Sequence, residues 1–211
     1  MGKRILFSSI RDGLMDLILK DANGTGPEER LLKVPFARSA SDWSPDGRTS
    51  AYMENRDLWV LNREGERTPT VFLKTPFNES QAKFSPDGRW IAFEARPNGH
   101  GDIYITGAEG ISPRPVTSGE WEDSLPTWSR DGRSLYFISD RSGSRQLWRV
   151  PAVGGNPQQI TRHGADFGME GPNGGGVYYA RDGSLFRLSL SDQTETTVTR
   201  NLNRADFDIA G

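Results

Sequence analysis

The chain has 211 residues, no cysteine, a net charge of −2 and only 34% hydrophobic residues. Without cysteine, disulfides and thiolate metal sites are excluded, and without a basic surplus a nucleic-acid partner held by phosphate neutralisation is not expected. No apolar run approaches the ~18 residues of a membrane-spanning helix, so membrane insertion by a helix is not expected either.

In chain order, Gly2-Lys3-Arg4-Ile5-Leu6-Phe7 reads as a strand, followed by a second at Leu17-Ile18-Leu19. A Gly-containing turn at Asp21-Ala22-Asn23-Gly24 then leads to a third at Arg30-Leu31-Leu32. Asp21 to Gly26 has a faint likeness to a calcium loop but lacks its spaced carboxylates and terminal Glu, so it is read as a hairpin turn. Next comes Trp43-Ser44-Pro45-Asp46-Gly47-Arg48, and the phrase returns as Phe84-Ser85-Pro86-Asp87-Gly88-Arg89 and Trp128-Ser129-Arg130-Asp131-Gly132-Arg133. A worn copy stands at Gly171-Pro172-Asn173-Gly174. Copies about 42 residues apart mark a propeller, solenoid or array.

Behind each phrase the same order recurs. A second strand follows the turn: Ala51-Tyr52-Met53, Ile91-Ala92-Phe93, Leu135-Tyr136-Phe137, Val177-Tyr178-Tyr179. A third follows a polar loop: Leu58-Trp59-Val60, Ile103-Tyr104-Ile105, Leu147-Trp148-Arg149-Val150, Leu185-Phe186-Arg187-Leu188. After a further turn a fourth closes the unit, as in Pro69–Phe72, Arg114–Thr117 and Gln159–Thr161. No window sustains apolar spacing at i, i+3, i+4, i+7, so helices should be few. Four short strands per unit predict an all-β chain, a β-propeller of five four-stranded blades. The last unit is assembled from both ends of the chain: Phe207–Gly211 supplies a first strand and Gly2–Ile5 a second, so pairing of the N- and C-terminal strands closes the ring and removes open sheet edges. The expected single domain then divides into blades of residues 203–211 with 1–33, 34–74, 75–117, 118–161 and 162–202.

The phrase, the Asp57-Leu58-Trp59-Val60 and Asp102-Ile103-Tyr104-Ile105 strands, and the loop Ser139-Asp140-Arg141-Ser142-Gly143 resemble the TolB-type propeller repeat, a relative of the WD-repeat family, across essentially the whole chain. The resemblance implies a bacterial, periplasmic or otherwise extracytoplasmic domain. Met1 to Arg4 is followed by only three apolar residues, too short for a signal-peptide core, so any export signal is expected outside this sequence. Repeats of this type occur in periplasmic scaffold proteins, in sensor ectodomains and in non-catalytic gate domains of serine peptidases. The better-known members have six or seven blades, so five is a departure.

No nucleophile elbow appears, and the two histidines, His100 and His163, fall in different blades, which argues against a catalytic triad and a transition-metal site. No enzyme activity, metal or cofactor is expected. Five residues before each phrase stand Arg38, Glu79, Asp123, Asp166 and Arg204. One per blade at an equivalent position, these should line the channel mouth, with the three acids side by side and two arginines flanking them. Trp121 and His163 lie in the same set of connections. A second set contributes Arg11, Arg56, Arg96, Arg141 and Arg181, and the bland alternative is that these charges pair with one another. The function expected is a non-catalytic scaffold, acting as a monomer, that binds a protein or peptide segment or a small polar ligand at this mouth. The alternatives are a propeller hydrolase or lyase with an acidic or metal-assisted site, and an engineered or excised propeller without a native function.

Overall fold

Each residue of the recurring phrase has a separate job in one turn. The Ser44 hydroxyl donates to Asp46 Oδ1 at 2.6 Å, and the same carboxylate oxygen accepts the Arg48 N–H at 3.0 Å. Ser44 Oγ in turn accepts the Thr49 N–H at 2.9 Å. Gly47 turns the chain with φ 71°, a conformation open to glycine and costly for most residues. Ser85, Asp87 and Gly88 repeat this network, as do Ser129, Asp131 and Gly132. The Ser hydroxyl, followed by the backbone N–H, holds each of these three aspartates below the usual carboxylate range. At Gly171–Gly174 only the backbone part survives, with Gly174 at φ 67°.

A computed structural model describes residues 4–32, 38–62, 65, 67–110 and 112–200. The chain is an all-β propeller of five blades, and no helix occurs among the described residues. The first blade holds β1 (Arg4–Arg11), β2 (Leu14–Asp21) and β3 (Glu29–Arg30). The second holds β4 (Arg38–Trp43), β5 (Thr49–Glu54), β6 (Asp57–Asn62) and β7 (Pro69–Leu73). The third holds β8 (Glu79–Phe84), β9 (Trp90–Ala95), β10 (Asp102–Gly107) and β11 (Arg114–Pro115). The fourth holds β12 (Ser124–Trp128), β13 (Ser134–Ser139), β14 (Gln146–Pro151) and β15 (Gln158–Gln159). The fifth holds β16 (Phe167–Glu170), β17 (Gly176–Arg181), β18 (Ser184–Ser189) and β19 (Glu195–Thr199). Within each blade consecutive strands pair antiparallel. The strand expected at the C-terminus, and with it the pairing expected to close the ring, lies outside the described residues, as does Arg204.

The short outer strands β11 and β15 are extended by a threonine. Thr117 Oγ1 accepts the Ile103 N–H at 2.9 Å, and Thr161 Oγ1 accepts the Leu147 N–H at 2.9 Å. This explains why the repeat ends its fourth strand on threonine. Among the described residues four hydrophobic layers lie between successive blades. The first joins Leu17, Leu19 and Leu31 to Tyr52 and Leu61, and the last joins Tyr136 and Leu147 to Val177 and Tyr179. Cross-strand aromatic pairs in register anchor these layers. Tyr52 and Trp59, Phe93 and Tyr104, and Tyr179 and Phe186 stack with ring centroids 6.4, 5.8 and 5.3 Å apart. Such pairs add about 0.5–1.5 kcal/mol each beyond the area they bury.

The connections between second and third strands differ among the blades. Blades one, two and five use two-residue turns, Asp12-Gly13, Asn55-Arg56 and Asp182-Gly183, with both residues at positive φ. That is the turn whose twist matches a hairpin. Blades three and four instead carry longer loops, residues 96–101 and 140–145. The face bearing these connections is therefore lopsided, built up over blades three and four.

Candidate functional site

The equivalent residues that precede the phrases sit where one blade hands over to the next. Arg38 opens β4 and Glu79 opens β8, while Asp123 and Asp166 stand one residue before β12 and β16. Their backbone is docked on the preceding blade: the Glu79 N–H donates to Arg56 O at 2.9 Å and the Asp123 N–H to Gly101 O at 2.8 Å. The connecting segments are thus tied to the loop face by the same bond in two successive blades.

The side chains do not form one open acidic ring. Arg38, Glu79 and Asp123 are buried, each with local partners. Arg38 Nε is 2.6 Å from Glu54 Oε2, and its guanidinium lies 5.9 Å from the Tyr52 ring centroid. Glu79 accepts a short hydrogen bond from the Thr75 hydroxyl, and burial pushes its carboxyl above the usual range. Asp123 Oδ2 accepts from Arg141 at 2.6 Å. Asp166 is exposed and accepts the Asp182 N–H at 3.3 Å. Among the described residues no ion pair or hydrogen bond links Glu79, Asp123 and Asp166 to one another. The reason is geometric: each side chain meets its own blade or joining segment first, Arg38 at Glu54, Glu79 at Thr75, Asp123 at Arg141 and Asp166 at Asp182, before it can meet its equivalents.

Trp121 and His163 are exposed, on the connecting segments that enter blades four and five. Trp121 is 43% exposed, and its indole edge lies against Gly119. Beside it, Arg96 pairs with both Glu94 and Glu122 at 2.9 Å, and His100 Nδ1 is 3.8 Å from Glu122. The second arginine set is largely consumed by the fold. Arg11 pairs with Glu28 at 2.7 Å and Arg181 with Glu195 at 3.2 Å. Arg141 also lies 5.2 Å from both the Phe137 and Trp148 ring centroids.

A further acidic set escaped the reading of the sequence. Asp16, Asp57 and Asp102 occupy matching places at the start of the third strand and are buried. Asp16 pairs closely with Arg30, and Lys74 reaches Asp57 at 3.5 Å. Asp102 is pushed up to about 6, first by burial and then by the negative charge of Asp123, against the opposing pull of His100 and Arg141. The signal was present in the sequence as the Asp that opens Asp-Leu-Trp-Val and Asp-Ile-Tyr-Ile.

This gives a pH prediction with a definite sign. A carboxyl whose folded value lies above its unfolded 3.8 adds stability that is complete below 3.8 and is lost as pH rises through about 6. Asp102→Asn should therefore stabilise the protein by about 1–3 kcal/mol at pH 7.5 and have little effect at pH 4. Thermal melts of both proteins across pH 4–8 check this. A variant less stable at pH 7.5 would contradict the repulsion between Asp102 and Asp123.

Among the described residues no three or more His, Asp or Glu side chains are grouped to hold a metal ion. What the arrangement offers is a built-up face with an exposed tryptophan, an exposed histidine and exposed acids on neighbouring connections, above buried charges that are locked in place.

Residues 40–208 match the TolB beta propeller domain family. The Tol-Pal system protein TolB of Bordetella pertussis is 32% identical over 157 residues, covering 72% of this chain and 36% of that protein. The crystal structure of TolB from Acinetobacter baumannii superposes with a TM-score of 0.76 at 20% identity, over 94% of this chain and 53% of that one. An uncharacterized peptidase of Bacillus subtilis, YuxL, is 43% identical over 60 residues, 28% of this chain and 9% of that protein. The chain spans about half or less of the length of each of these proteins.

Proposed function

This chain belongs to the TolB beta-propeller family, and on that premise we propose that it is a non-catalytic scaffold that binds a basic segment of a partner protein on the loop face over blades three to five. The observation that carries this reading is the asymmetry of that face. The two long second-to-third-strand loops stand over blades three and four, next to the connecting segments that carry Trp121, His163 and Asp166. An exposed aromatic flanked by Glu120 and Glu122, with exposed Asp166 on the next connection, suits a cationic peptide, since aromatic anchors with adjoining charge dominate binding energy at interfaces. Arg38, Glu79 and Asp123 support the platform rather than touch the partner. The family and its Tol-Pal relative favour an extracytoplasmic bacterial setting.

A lysine- and arginine-rich peptide, titrated by fluorescence anisotropy at low salt, tests the reading. Binding should weaken by roughly tenfold or more between 50 and 300 mM salt, because exposed charges are screened. Trp121→Ala and Asp166→Asn should each weaken it while leaving the melting temperature within about 2 °C, since both side chains are exposed. Equal binding by the double variant, or no binding by the parent, would refute it.

A further inference from the structure

Under the segment that joins blades two and three, against the third blade, lies a cavity distinct from the Trp121 face. It is lined by Thr75, Phe77, Glu79, Phe93, Ala95, Tyr104 and Pro113, and its free volume, open mouth included, is about 320 Å³. Three of these residues, Phe77, Phe93 and Tyr104, are aromatic. Phe93 and Tyr104 are stacked on each other, and Phe77 is 40% exposed at the rim.

One charged group stands in this apolar wall. Glu79 has no exposed surface. Its Oε1 is occupied by the Thr75 hydroxyl, while its Oε2 is buried and has no hydrogen-bond partner among the described residues. The nearest charged neighbours do not relieve it. Asp57 adds a second negative charge, and the cation that reaches this corner, Lys74, is spent on Asp57 at 3.5 Å. A buried acceptor left unmade is costly, and a buried carboxylate calls for a cation bearing N–H donors. Aromatic faces around it favour the same partner through cation–π attraction and accept an apolar stem at no polar cost.

We propose that this cavity is a binding site for a small primary alkylammonium ligand, whose alkyl stem lies among Phe77, Phe93 and Tyr104 and whose ammonium donates to Glu79 Oε2 once that side chain turns from its buried position toward the cavity. The ligand is a free small molecule: even with its open mouth the cavity has room for only a short alkyl chain, and Thr75, Phe77 and Glu79 of the joining segment form one of its walls. A lysine side chain of a partner protein carries the same head group and is the competing occupant that the test separates.

The test uses the intact protein and three probes, n-pentylammonium, 1-pentanol and N-acetyl-lysine methylamide, each titrated by NMR chemical-shift perturbation. The ammonium should bind at least about tenfold more tightly than the neutral alcohol of matching shape, the difference expected for a hydrogen bond to a charged group. Glu79→Gln should remove that preference. Phe77→Ala, at an exposed position, should weaken both pentyl probes, so it decides the matter even if the Glu79 variant fails to fold. As pH falls toward the value at which Glu79 takes up a proton, ammonium binding should decline while pentanol binding holds. Equal affinity for the two pentyl probes, binding by neither, or a preference that survives Glu79→Gln would overturn the site. Binding of the lysine derivative without n-pentylammonium would overturn the small-molecule assignment. None of these outcomes depends on the peptide titration at Trp121.

Discussion

Replacing Arg141 by leucine should cost about 3–5 kcal/mol of unfolding free energy, the loss expected when one partner of a buried ion pair is removed. The guanidinium does three things at once. It holds Asp123 Oδ2 at 2.6 Å, donates from Nε to Ser139 Oγ at 2.9 Å, and lies between Phe137 and Trp148 at 5.2 Å from each ring. Without it the Asp123 carboxylate, fully buried beside Asp102, has lost its cation. The stranded charge repels Asp102, whose carboxyl already stands at about 6, so the loss should shrink as pH falls through that value. The double variant Arg141→Leu with Asp123→Asn removes the stranded charge and should recover roughly half of the loss. Urea unfolding of the two variants measures both quantities. A single-variant loss below about 1 kcal/mol would mean that the pair behaves as an exposed one.

Gly101→Val should be the other severe change, at about 1–3 kcal/mol or more. A Cβ at this position would stand 2.7 Å from the backbone oxygen of Asp123, and 3.4 Å from carboxylate oxygens of both Glu122 and Glu94. The nearest of these is main chain and cannot swing aside. Its residue is also tied to Gly101 by the Asp123 N–H bond of 2.8 Å, so relief of the clash moves the whole segment that carries Trp121. Gly99→Ala, two residues away, meets no atom within 4 Å and pays only for φ 86°, about 1 kcal/mol. Thermal melts of the two variants separate steric conflict from backbone strain. Equal losses would show that the close approach at Gly101 is not what forbids a side chain.

The sequence made the blades legible because each phrase carries its own local chemistry. Ser85, Asp87 and Gly88 complete a turn among themselves, so spacing alone was enough to place it. The second and third strands fell where Tyr52 and Trp59, or Phe93 and Tyr104, were expected, since a pair of aromatic strands follows each turn. The equivalence of Arg38, Glu79, Asp123 and Asp166 was also legible, because phase in a repeat fixes position. Their burial was not. Whether Asp123 faces the mouth or Arg141 depends on a neighbouring loop that is short in three blades and long in two, and on a bulge in the inner strand, at Leu125 with φ 55°. Phase cannot encode either. Asp102 is hidden for the opposite reason: it lies inside the best-matched part of the repeat, where an acid that marks the third strand looks like its counterpart Asp57 and its raised carboxyl leaves no mark in the pattern.

The central claim is that the exposed segments over blades three to five, and not the opposite turn face, receive the partner. Hydrogen–deuterium exchange on the intact chain, with and without a saturating basic peptide at low salt, tests this most directly. Protection is predicted in residues 96–101, 118–123 and 162–166, with the Ser-x-Asp-Gly turns at 44–48, 85–89 and 129–133 unchanged. Protection confined to those turns, or no change anywhere while the peptide is bound, would contradict it.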